Sequence, residues 1–250
     1  MKKILAVAFI LLSGNLFSQD VTVLLKEATN AERALKDQDA INKYKEVLAV
    51  EPTNIVALVK SSELTLTLGT KQTDKKVKKE IYDRAKDFAD QALKANSESA
   101  DANYVRALVA LKMTEVETEN KKLVADLREV KTFADKALSI NPNHGKANYV
   151  LGKWNFDMVQ FPWAKKAAVK VLFGGMPDGA IDDAYKYMEK ARTLEPYFVQ
   201  NFSDLAKAYK YDYKPAKAIE VLNQLVKLPT RTSNDAALKA EGKQMLSEMQ

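Results

Sequence analysis

The 250-residue chain contains no cysteine and a single histidine. Without cysteine there can be no disulfide, thiolate zinc site, iron–sulfur ligation, cysteine nucleophile or acylated lipoprotein anchor. A metal site needs several converging ligands, so the lone His144, in the turn "NPNHGK", reads as a turn residue and not a ligand. No metal and no cofactor are expected. Glycine and proline are also scarce, at 8 and 7 residues, which argues against a sandwich or barrel and for helix. The charge excess is small: 39 basic and 33 acidic residues leave +6, interleaved as on a salt-bridged helical surface. A nucleic-acid binder clusters its positive charge on one face, and no such stretch occurs here.

Recognisable catalytic patterns are equally sparse. Glu115, Glu117 and Glu119 are spaced by two, which sends them to different sides of a helix rather than into one acid–base pair. "FGGMPDG" is glycine-rich but lacks the Lys-Ser/Thr ending of a phosphate loop, and so reads as a turn. "KKVKKE" at 75–80 reads as a solvated helix end. The chain is not expected to be an enzyme.

What is present begins at the N-terminus. "MKKILAVAFILLSGNLFSQD" has two lysines, an apolar run from Ile4 to Leu12, and small or polar residues before Gln19. That order describes a secretory signal peptide over 1–18, cut after Ser18, although Leu16 departs from the usual small residue. The alternative is an uncleaved membrane anchor, but nine apolar residues rise only about 14 Å as a helix, against a bilayer core of ~30 Å. The expected location is therefore secreted or periplasmic, with a membrane association only if this segment is retained. Loss of Lys2 and Lys3 would leave the mature chain at +4.

The remainder repeats. "AINKYKEVLAVEPTN" sets Ala40, Tyr44, Val47 and Pro52 at the spacing of the second helix of a tetratricopeptide repeat. The frame returns at Ala85, Ala89, Ala92 and Ser97, at Val130, Ala134, Ala137 and Pro142, and at Ala184, Met188, Ala191 and Pro196. A weaker copy has Ala218, Leu222, Leu225 and Pro229. Small residues let the paired helix approach, the larger one fills the gap beside it, and proline stops the helix. The expected fold is all-α: one right-handed tetratricopeptide-like solenoid with long hairpin inserts. Repeats fall at about 21–54, 55–99, 100–144, 145–198 and 199–231, with a closing helix over 232–250, all within one domain of residues 19–250.

The insert of the fourth hairpin, unlike the charged others, holds both tryptophans. Pro162 should end the preceding helix, and "WAKKAAVKVLF" should form a short amphipathic helix whose apolar side carries Trp163, Ala167, Val171 and Leu172. The stretch 151–209 resembles the regulator of microtubule dynamics family of tetratricopeptide proteins. The residues carrying the resemblance are Gly152, Trp154, Trp163, Lys165, Lys166, Leu172, Phe173, Gly174, Pro177, Ala184, Tyr187, Lys190, Ala191, Pro196, Asn201 and Lys207. It implies a helical repeat protein that works by contact with other proteins. Family members in animals associate with microtubules and organelle contact sites, a role closed to an exported chain. Trp154, Trp163, Lys165, Lys166, Phe173 and Gly174 are expected to be mainly structural, anchoring the insert. The alternative is that part of one tryptophan ring lines a pocket, making the chain a ligand-binding or enzyme-accessory subunit.

Helical-repeat stacks bind peptides along the face lined by their first helices. Phase counting assigns Tyr104, Leu108, Lys146, Tyr149, Lys153 and Lys207 to that groove. The Tyr–Lys mixture suits a protein or peptide partner of acidic character. Tyr104, Tyr149, Leu108 and Lys153 replace the Lys and Asn of the chaperone-tail clamp, so that ligand is not expected. The sum is an expected monomeric or weakly associating, non-catalytic interaction scaffold.

Overall fold

In a computed structural model, residues 21–162, 175 and 178–249 are described, and among them eleven helices and no strand occur. They are α1 (21–33), α2 (Asp37–Val50), α3 (Ile55–Thr70), α4 (Lys75–Ala95), α5 (Ala100–Met113) and α6 (Asn120–Ile140). There follow α7 (Gly145–Gln160), α8 (Ile181–Leu194), α9 (Val199–Tyr211), α10 (Pro215–Leu225) and α11 (Asp235–Glu248). The first 20 residues, and with them the expected signal peptide, lie outside the described residues. So do Trp163, Lys165, Lys166, Phe173, Gly174 and the helix expected over "WAKKAAVKVLF".

The repeat frame is the buried seam of the stack. At all fifteen helix positions of the five copies, from Ala40, Tyr44 and Val47 to Ala218, Leu222 and Leu225, relative exposure is 0–1%. These residues let each second helix lie against its partner, so α3 pairs with α4, α5 with α6, α7 with α8 and α9 with α10. One close approach, made against backbone, is at Gly152 on α7: a Cβ there would sit 2.7 Å from Met188 Cγ, 2.9 Å from the Met188 backbone nitrogen and 3.1 Å from the Ala184 carbonyl. Hairpins then stack through α2 on α3, α4 on α5 and α6 on α7, while the first helices meet as α3 on α5 and α5 on α7. Helix α11 closes the series against α9 and α10.

Helix starts follow the same periodicity. Asn54, Ser99 and His144 each precede a first helix, and each side chain accepts the backbone N–H three residues on, from Ala57, Ala102 and Ala147. His144 is thus a helix cap. Its Nδ1 accepts from Ala147, and its Nε2 lies 2.9 Å from Asp101 Oδ1. Helix α7 ends at Gln160, where Phe161 turns extended (ψ 126°) ahead of Pro162. Glu117 and Glu119 fall in the α5–α6 connection, and Glu117 Oε1 accepts the N–H groups of Thr118 and Glu119. Trp154 is buried, donating from its indole nitrogen to the Leu127 carbonyl at 2.8 Å, and so ties α7 to α6. Among the described residues, no helix is long and apolar enough to cross a membrane.

Candidate functional site

The first helices α1, α3, α5, α7 and α9 line the inside of the stack, and there the sequence places alternating acids, bases and tyrosines. Glu63 of α3 is their centre. Its Oε1 accepts from Tyr104 of α5 at 2.7 Å and from Lys146 of α7 at 2.7 Å, and Lys60 stands 3.5 Å from Oε2. Burial opposes its charge, but Lys146 and Lys60, with the hydrogen bonds from Lys146 and Tyr104, hold the carboxyl down at about 2. Lys60 also pairs with Glu32 of α1 at 2.8 Å, which accepts from Tyr44 of α2 at 3.0 Å. Burial would lower the Lys60 ammonium, but Glu63 and Glu32 outweigh it and its pKa is raised. One chain of ion pairs across α1, α3 and α7, extended by tyrosine hydrogen bonds from α2 and α5, therefore joins five helices.

A second polar group lies farther along. The Tyr149 hydroxyl donates to Asp204 of α9 at 2.9 Å, and Gln200 donates to the same oxygen at 2.8 Å. Lys153 pairs with Asp157 on its own helix. Burial works against the Lys153 charge, yet Asp204 and Asp157 raise its pKa; burial raises the Asp157 carboxyl despite Lys153. Lys207 points to the closing helix and meets Glu241 at 2.9 Å.

Between these networks is a cavity of about 160 Å³. Its apolar wall comes from Leu64, Leu66, Leu108, Tyr149, Phe198 and Leu238, and its polar wall includes Glu63, Thr67, Tyr104 and Lys146. Of the six groove residues expected from the sequence, Tyr104, Leu108, Lys146 and Tyr149 meet here. Lys153 and Lys207 do not line it. The expected lysines also carry less spare charge than their number implies, because Lys146, Lys153 and Lys207 each face a carboxylate of the same chain. Sequence reasoning missed Glu63, although it occupies on α3 the place that Leu108 and Lys153 hold on α5 and α7, one and two repeats on. It also missed the far wall. Arg231, Thr232, Asn234 and Asp235 reach the cavity from the connection before α11 and the start of that helix, where no repeat frame applies. Among the described residues, no group of three or more His, Asp or Glu side chains could hold a metal ion.

With this architecture in place, residues 24–250 match the family described as Regulator of microtubule dynamics protein 1-3. The chain belongs to that family. Its similarity to individual members is low. The mouse Regulator of microtubule dynamics protein 1 is 26% identical over 178 residues, which is 70% of this chain and 58% of that protein. The bovine protein is 25% identical over 187 residues, 74% of this chain and 58% of that one. The chain thus spans a little over half the length of these family members. Among solved structures, a thermophilic tetratricopeptide protein of Thermus thermophilus superposes with a TM-score of 0.65 at 14% identity, covering 91% of this chain and 99% of that one. PilW, a widely conserved type IV pilus biogenesis factor, gives 0.56 at 17% identity, covering 92% and 90%. At these identities the likeness shows the fold alone, the tetratricopeptide solenoid.

The family stretch 151–209 has structural work to do in this fold. Gly152 and Trp154 hold α7 against α8 and α6. Asn201 donates to the Met188 carbonyl at 3.0 Å, and Lys190 reaches back to the Pro142 carbonyl at 2.6 Å, tying neighbouring hairpins together.

Proposed function

We propose that this chain is a non-catalytic protein-interaction scaffold that receives a segment of a protein partner on the inner face of its solenoid. The observation that carries the reading is the groove itself, whose wall draws on the first helices of successive repeats and mixes exposed apolar surface with anchored polar groups. Membership of the regulator of microtubule dynamics family and the tetratricopeptide fold support it. The acidic partner expected from the sequence loses its footing, since the groove lysines are already paired. The test is affinity capture from the native cell, with the intact chain beside Leu108→Arg and the outer-face control Lys94→Glu. A partner held by the native and control proteins and lost from Leu108→Arg, with all three equally helical by circular dichroism, is the expected result. Equal capture by all three would overturn the reading.

We also propose export, on the strength of the lysine-led apolar segment before Gln19. The microtubule role in the names of the animal proteins then does not extend to this chain. The protein isolated from its own cells should have an intact mass beginning at Gln19; a retained Met1 would contradict export.

A further inference from the structure

The groove is not open-ended. Residues 231–235 cross from the last hairpin to the first two and bond to them. Ser233 Oγ donates to the carboxylate of Asp37, which starts α2 and is only 6% exposed. Asn234 Nδ2 donates to Thr70 Oγ1 at the end of α3, at 2.7 Å. Lys71 pairs with Asp37 at 2.7 Å and completes the seat. These contacts span 196 and 164 positions in the chain, whereas a solenoid otherwise joins only neighbours.

The crossing segment is itself pre-shaped. Asp235, 3% exposed, accepts the N–H groups of Arg231 and Thr232 at 2.7 and 2.8 Å and the Thr232 hydroxyl at 2.5 Å. The Arg231 guanidinium stacks over Tyr197, 3.9 Å from the ring centroid. So a rigid strap presents one hydroxyl and one amide to a prepared acceptor pair on the groove wall. The space left behind it, about 160 Å³, is below the roughly 300–1,000 Å³ of pockets that take a drug-sized ligand. With the strap across it, the groove offers less free space than a site for a drug-sized ligand, and a peptide is larger still.

We propose that the strap, residues 231–235, is a latch and a resident pseudo-ligand: a partner enters the groove by displacing it. The displacing segment has the same chemistry, a short non-helical stretch in which an arginine precedes a hydroxyl and a carboxamide. The proposal rests on the groove being the interaction site and adds how that site is regulated. Between the unlatched and latched states only the strap contacts need to break, so the partner's affinity is reduced by the fraction of time the latch is closed.

The test uses the full chain and a fluorescein-labelled synthetic peptide of residues 229–237. In one variant Arg231→Gly, Ser233→Gly and Asn234→Gly are combined, which removes the latch and leaves Asp37, Thr70 and Lys71 in place. The peptide is expected to bind this variant at least about tenfold more tightly than the native chain, because the tethered strap competes at millimolar effective concentration. A peptide with the serine and asparagine replaced by alanine should not bind. Equal binding to the native and unlatched chains, or none to the unlatched chain up to millimolar peptide, would overturn the proposal. Should the triple variant fail to fold, Asp37→Asn weakens the seat alone; amide exchange at 231–235 should then rise at least about tenfold, and unchanged exchange would overturn it. A groove that captures its partner equally with and without the latch refutes the latch and leaves the scaffold standing. Peptide binding together with capture indifferent to Leu108→Arg refutes the scaffold site instead.

Discussion

Glu63 shows how one side chain sets the character of the groove. It receives Tyr104 and Lys146 from two later repeats, so a single carboxylate joins α3, α5 and α7. Its folded pKa of about 2 lies below the ordinary value of 4.5. A group depressed in this way stabilises the fold fully above pH 4.5, and the contribution is lost as pH falls from there toward 2. The shift corresponds to about 3 kcal/mol at most. Urea unfolding at pH 7, 4.5 and 2.5 should show the native chain losing more stability across the acidic window than Glu63→Gln. At neutral pH the variant should be the weaker protein, because Lys60 and Lys146 keep their charges without this partner. Parallel pH profiles would show that Glu63 is not the group responsible.

At the scale of elements, the second helices are legible in the amino-acid sequence because their requirement is local. A small or space-filling residue at fixed spacing is what lets one helix lie on another, and every such position proved buried. The turns are legible for the same reason, since Pro52, Pro142 and Pro196 each stand in a short connection after a second helix. Gly152 is the sharpest case. Its absent Cβ would meet the backbone of α8, which cannot rotate away, so even Gly152→Ala must push α7 and α8 apart. We expect a loss of about 1–3 kcal/mol in denaturant unfolding, as for other overpacked contacts. Gly242→Ala is a useful contrast, because its nearest neighbour is the Leu225 side chain, which can move. It should cost less, and an equal cost would mean that backbone contact is not what makes Gly152 necessary.

At the scale of the whole molecule, legibility ends where partners lie far apart in sequence. The inward phase of Tyr104, Leu108, Lys146 and Tyr149 follows from counting along their helices. Nothing in that count pairs Lys146 with Glu63 or Lys207 with Glu241. Nor does any local pattern bring Ser233 to Asp37, since that contact depends on the curvature accumulated over five hairpins. The same curvature makes the inner face a partly enclosed space, and its use by a partner is the central claim. The most direct test is photo-cross-linking in the native cell, with a benzoylphenylalanine in place of Leu108 inside the groove and, separately, in place of Lys94 on the outer helix α4. A discrete protein adduct from position 108 and none from position 94 is the predicted result. Adducts from position 94 alone, or from neither, would contradict a scaffold that works through its groove.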